Sequence, residues 1–359
     1  MIAGSMQRHV RQALVDILVA ALMNWRSEPS IVNHTGCRNA IGEKMHQNPF
    51  SGYLGIDWSG ARGARLSGLQ LAMAKPGDTV PQSVTPPSGR HWGRDAVLRH
   101  LVGLATDSAS GSVLVGIDFA FSHPFVDFGG YFPGARAAPG DAPGLWALVD
   151  TVNINEPGLY GGALFRHPQW GQYYLAPPDY DAPRYQSRRR ITEHAARIAG
   201  RSPSPTFKAV GADNVCTGSL AGMRLLHHLK LLLGAKLAIW PFEAFVPGET
   251  RLVLVEVFPS FYFYRIGMVP TKRAAAEPAF LNAALAAYGS RGVAANFSPV
   301  GQDADEADAI IAAAALRYFA RHGEMNLPLT VEDAAHREGW IFGVPAPNAE
   351  EITTAGLEQ

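Results

Sequence analysis

Two apolar segments of this chain end in the same tripeptide, Gly-Ile-Asp: Tyr53-Leu-Gly-Ile-Asp57 and Val113-Leu-Val-Gly-Ile-Asp118. An uninterrupted apolar run such as Val113–Ile117 suits a strand covered on both faces, which places it in the middle of an α/β sheet. In open sheets of that class, functional residues gather at the carboxyl ends of the strands. If the two strands are neighbours, Asp57 and Asp118 share one crevice.

Two further acidic signals follow in order. Glu256 lies inside the apolar run Leu252-Val-Leu-Val-Glu-Val-Phe258, where an unpartnered carboxylate is expensive. Asp305 and Asp308 are three residues apart on a predicted helix over about 304–321, so both project from one face. Clustered carboxylates raise one another's pKa unless a cation neutralises them. The ligands are all oxygen, with no Cys/His set beside them, so Mg²⁺ or Mn²⁺ is the expected ion. Each acid also has a structural reading: Asp57 precedes a Gly-rich turn, and Asp-x-x-Asp at a helix start acts as a cap and favourable dipole charge.

Apolar residues make up 47% of the 359-residue chain and charged residues 17%, enough for a large core, so global disorder is excluded. The formal net charge is zero, which argues against a protein that coats polyanions along its whole surface. A small basic groove is still compatible with it. The two cysteines, Cys37 and Cys216, form neither a zinc spacing nor a disulfide framework, so the expected location is the cytoplasm. The apolar run Ala13–Met23 contains Asp16 and is too short to span a bilayer.

The pattern divides the chain into an N-terminal extension over 1–50, with an amphipathic helix, a domain over 51–322, and a C-terminal tail over 323–359. Within the domain it predicts strands at 53–57, 64–74, 113–117, 236–240 and 251–257. Helices are predicted near 94–106, 219–233, 277–288 and 304–321, with a short one near 331–338 in the tail. A stretch from about 124 to 218, rich in Pro, Gly and aromatic residues, reads as a large insertion walling a site. It carries a run of arginines of which Arg188, Arg189 and Arg190 are candidates to grip phosphates, the alternative being a solvated basic face. Lys208 and Arg62 are candidates to stabilise a leaving phosphate. Glu193 and Glu243 read as structural partners for arginines or backbone.

The order of these motifs carries a resemblance. Gly55-Ile-Asp-Trp-Ser-Gly-Ala61, Gly116-Ile-Asp118, Trp240-Pro-Phe-Glu243, Glu256-Val-Phe-Pro259 and Asp305-Glu-Ala-Asp-Ala309 resemble the family known as domain of unknown function 429. Arg190-Ile-Thr-Glu193, Ser204-Pro-Thr-Phe-Lys208 and Gly211–Gly218 are similar to its middle section, so the likeness runs from about Gly52 to Ala320. One departure is that Phe119-Ala-Phe-Ser122 stands where the family often has a Pro-x-Gly turn. The resemblance implies an RNase H-like mixed sheet flanked by helices and a metal-dependent nuclease acting on DNA or RNA. Its metal ligands would be Asp57, Asp118, Glu256 and Asp308, with Asp305 as a fifth. Two other functions fit the same residues. One is an ATP-dependent phosphotransferase of the actin/sugar-kinase type, for which Asp57-Trp-Ser-Gly-Ala-Arg-Gly63 serves as the phosphate hairpin. The other is a non-catalytic binding module that keeps its acids as a folding device.

Overall fold

The computed structural model describes residues 49–107, 111–178, 181–211, 214–271, 277–299, 304–323, 325–327 and 329–347. The N-terminal helix expected within 1–50 falls outside them.

Six strands form one mixed sheet among the described residues: β1 (Phe50–Asp57), β2 (Gln70–Ala74), β3 (Gln82–Ser83), β4 (Ser112–Ile117), β5 (Leu237–Ile239) and β6 (Leu252–Glu256). Their order is β3-β2-β1-β4-β6-β5. β1, β4, β6 and β5 run parallel, and β2 and β3 add an antiparallel edge beside β1. The parallel strands are apolar along most of their length because helices cover both faces. Residues 64–69, expected to be strand, instead form the turn that leads into β2.

Alternation along the strands sorts their side chains. Leu54, Ile56, Val115, Ile117, Leu252 and Leu254 face a core shared with helices α1 (Arg94–Thr106), α2 (Ala142–Val152) and α4 (Cys216–Leu233). Tyr53, Leu114, Val253, Val255 and Val257 face the opposite core. That core is built from α5 (Pro259–Arg265), α6 (Pro278–Ala287) and α7 (Asp305–Arg321).

Two glycines set how close α7 can come. A Cβ on Gly55 would collide with the Ala309 carbonyl and lie 2.6 Å from the Ala313 nitrogen. A Cβ on Gly116 would strike Val257 and stand 2.9 Å from Leu316 Cδ1. The helix offers alanines at 309 and 312–315, so its backbone rests almost on the strands. Gly55→Ala is therefore expected to destabilise the protein by about 1–3 kcal/mol, because α7 must lift. Gly103→Ala, on the exposed side of α1 with open space around it, is expected to add up to about 1 kcal/mol. Urea unfolding of the two variants checks the contrast, and equal midpoints would contradict it.

The region expected as a loose insertion contributes to the main core. Asp141 caps α2 by accepting a hydrogen bond from Gly144 N at 2.8 Å, and Leu145, Trp146 and Val149 pack inward. A short helix, α3 (Ile191–Ile198), lies further along this region. The segment set apart as a tail also packs inside. After α8 (Leu329–Glu338), Trp340, Ile341, Phe342 and Val344 are buried, and Phe342 N donates to Glu256 O at 2.8 Å beside β6. No helix among the described residues is long and apolar enough to cross a membrane.

Candidate active site

Asp57 is the last residue of β1, and Asp118 follows the last residue of β4. The strands pair in register, Gly55 opposite Gly116 and Ile56 opposite Ile117, and Asp118 N donates to Ile56 O at 3.0 Å. Side chains two apart on a strand share a face. Asp57 therefore lies on the Gly55 face and Asp118 on the Gly116 face, which is the face that α7 covers. The first turn of α7 carries Asp305 and Asp308 to the same end. Asp305 Oδ2 lies 3.2 Å from where a Cβ on Gly68 would stand, close to the Ser59 turn that follows Asp57.

The four aspartates lie near enough to influence one another electrostatically. Burial pushes the Asp57 carboxyl well above the ordinary carboxylate range, and Asp308, Asp118 and Asp305 push it further. Burial, Asp308 and Glu256 do the same to Asp118. Asp308 is raised to about 7, by burial and then by Asp305. All four residues are half-buried, so solvent still reaches them. Among the described residues, no three or more His, Cys, Asp or Glu side chains are already gathered in a way that could hold a metal ion.

Glu256 lies near enough to raise Asp118 but, contrary to expectation, points to the other face of the sheet. It pairs with Ile117 across the ladder, so it faces the opposite side of the sheet from Asp118. Only 3% exposed, it accepts from Arg190 Nη1 at 2.7 Å and Nη2 at 2.6 Å, and from Phe121 N at 3.0 Å. Both of its oxygens are thus taken. Its tie to Phe121 anchors the loop that leaves Asp118.

The arginine run is corrected in the same way. Arg190 is buried and donates to Glu193 Oε1 at 2.8 Å and Glu338 O at 3.1 Å as well as to Glu256. Burial pulls its pKa down, but Glu256 and Glu193 outweigh that and hold it above the ordinary arginine value. Glu193 thus has the structural role its context suggested. Arg188 is buried too, held by Asp127 at 2.5 and 2.8 Å and by the carbonyls of Pro124, Gly130 and Tyr131. The hydrogen-bonding groups of both guanidiniums are thus engaged by protein carboxylates and carbonyls, although Arg188 also borders a cavity lined by Tyr173, Arg184 and Phe207. Arg189 donates to the Pro203 carbonyl, and Lys208 is half-buried beside the bridge between its own strand segment and Leu175.

Sequence reasoning missed Arg94. Only 1% exposed, it donates to Ser59 O at 2.9 Å, Ala61 O at 2.5 Å and Gly158 O at 2.8 Å. It thereby clamps the Gly-rich turn after Asp57, as Arg190 and Glu256 clamp the loop after Asp118. One signal was available: a cation in the first turn of a helix opposes the helix dipole, and such a residue needs another reason to be there. The start of α4 supports both loops, since Trp58 Nε1 donates to Gly218 O at 3.1 Å and Ala120 N to Ser219 Oγ at 3.0 Å.

No family model, curated protein or solved structure matches this chain.

Proposed function

We propose that this protein is a divalent-metal-dependent nuclease of RNase H-like architecture, the function implied by its resemblance to domain of unknown function 429. The observation that carries the reading is the placement of Asp57 and Asp118 at neighbouring strand ends on the face covered by the helix whose first turn carries Asp305 and Asp308, where burial and neighbouring carboxylates raise Asp57, Asp118 and Asp308. Structural acids are normally paired with cations or donors. Here neighbouring carboxylates raise one another, a charge excess that an oxygen-ligated cation would relieve. The strand order β3-β2-β1-β4, antiparallel and then parallel, is compatible with the implied fold.

Asp57, Asp118 and Asp308, with Asp305 beside them, would hold Mg²⁺ or Mn²⁺. Such ions supply charge neutralisation at a phosphodiester and a more acidic bound water. The chain's own contribution is placement. Asp57 and Asp118 are fixed by adjacent strands, Asp308 by a helix seated on glycines, and the two outgoing loops by buried arginines.

Purified protein with Mn²⁺ is expected to cleave at least one member of a panel of single-stranded, duplex, hybrid and branched nucleic acids. Asp57→Asn is expected to lower that rate at least about 100-fold while leaving the circular dichroism spectrum unchanged. A wild-type protein inert on the whole panel would remove the reading. Thermal stabilisation by ATP·Mg²⁺ but not by Mn²⁺ alone would favour the phosphotransferase.

A further inference from the structure

With Arg188 and Arg190 inside the protein, a nuclease needs another grip on its substrate, and the loop after Asp57 carries one. Arg62 and Arg166 each approach a different oxygen of Glu156, at 3.7 and 3.4 Å. Both arginine side chains are 70% exposed, whereas Glu156 is only 13% exposed. Arg62 also stands over the Tyr160 ring, 5.6 Å from its centroid. Exposed ion pairs this long contribute at most about 1 kcal/mol to stability, so they leave the sequence little structural reason to gather two arginines on one acid. What they do is hold two guanidinium groups side by side with most of their N–H groups facing solvent.

The arrangement is fixed to the candidate site from below. Buried Arg94 joins the Ser59 and Ala61 carbonyls to the Gly158 carbonyl, so the Arg62 turn and the Glu156–Tyr160 segment move as one piece. Arg65 continues the same edge, donating to His91 O and Ser88 Oγ, each at 3.1 Å. Arg62 is five positions along the chain from Asp57, a reach of at most about 18 Å, or about five phosphates along one strand.

We propose that Arg62 and Arg166, oriented by Glu156 and Tyr160 and extended by Arg65, form the rim that holds the phosphate backbone of a nucleic acid strand leading to the aspartate pocket. The proposal deepens the nuclease reading and rests on it for the choice of polyanion. The two guanidinium nitrogens on Glu156 are no more than about 9 Å apart, so they can take neighbouring phosphates of one strand. Arginine suits the task because its planar fork matches phosphate oxygens.

The test is binding without turnover: fluorescence anisotropy of a labelled single-stranded 20-mer and its duplex, in EDTA, over a series of salt concentrations. The R62A/R166A double variant is expected to bind at least about tenfold more weakly. Its plot of log affinity against log salt is expected to be shallower by about 1.4 for the single strand or 1.8 for the duplex. The control is R291A/R321A, whose arginines meet Asp78 and Gly77 in the loop after β2, at the end of the sheet away from Asp57. If the alanine variant fails to fold by circular dichroism, R62Q/R166Q provides the same comparison. The proposal is overturned if affinity and slope are unchanged, if the control loses as much, or if poly-glutamate displaces the strand as well as unlabelled DNA does. Binding that depends on the rim in a protein that cleaves nothing would reject the nuclease reading alone; cleavage with rim-independent binding would reject the rim alone.

Discussion

Arg190→Met is expected to destabilise the protein by about 3–5 kcal/mol, the largest loss among single substitutions considered for it. Among the described residues, Arg190 is the guanidinium that meets both Glu193 and Glu256, each of them buried, at 2.6–2.8 Å. Removing it leaves two carboxylates in a low-dielectric interior. Their desolvation cost, several kcal/mol per ion, is then no longer offset by attraction. Arg190→Lys is expected to recover little, because one ammonium cannot reproduce the bidentate fork on Glu256 together with the bond to Glu193. Adding Glu256→Gln to Arg190→Met is expected to restore part of the loss, since one of the stranded charges disappears. Urea midpoints for the three variants decide it. An Arg190→Met protein within about 0.5 kcal/mol of wild type would mean that the network is not holding the loop after Asp118.

The second large effect is a metal-free protein that is more stable in mild acid than at neutral pH. Asp57, Asp118 and Asp308 have folded pKa values raised above the ordinary 3.8, Asp308 to about 7. A raised carboxyl binds its proton more tightly in the folded state than in the unfolded one. Its contribution is therefore complete below about pH 4 and is lost as pH rises through the folded value. For Asp308 alone this amounts to on the order of 2–4 kcal/mol across pH 4 to 7. His123 acts in the opposite direction. Burial, Arg190 and Arg188 hold its pKa well below 6.5, so its contribution is lost as pH falls. The informative comparison is therefore wild type against Asp308→Asn. Between pH 5 and pH 8 in EDTA, the wild-type melting temperature is expected to fall relative to the variant. Saturating Mn²⁺ at pH 8 is expected to recover about 3 kcal/mol at a concentration 100 times its Kd. Parallel pH profiles for the two proteins would show that the aspartates do not repel one another.

Much of the architecture was readable in the chain because periodic apolar runs report burial directly. The 94–106 helix, the 113–117 strand and the 304–321 helix all lie within a residue or so of their predicted limits. What was missed depends on tertiary contacts. α2 is hidden by the surrounding Pro and Gly, and its helix starts at Ala-Pro behind an Asp141 cap. Trp340–Phe342 is too short for a periodic signal and gains its place only by lying beside β6. The site divides along the same line. Asp57 and Asp118 were legible as strand ends, but Glu256 was misjudged because its register, opposite Ile117 and one residue before Asp118, turns it to the other face. Arg188 and Arg190 look like a solvated run in sequence, yet three-dimensional packing makes them the cations that neutralise Asp127, Glu193 and Glu256.

The buried C-terminal segment also bears on the order of assembly. Glu338 accepts from Phe125 N at 2.6 Å, Val126 N at 2.8 Å and Ile191 N at 2.7 Å, and so fastens segments synthesised some 150 to 210 residues before it. A ribosome adding about 5–20 residues each second exposes the sheet and its aspartates well before this fastener exists. The segment after Asp118 thus gains this support only once Glu338 has been made, and a shorter nascent chain carries the strands without the piece that fastens it.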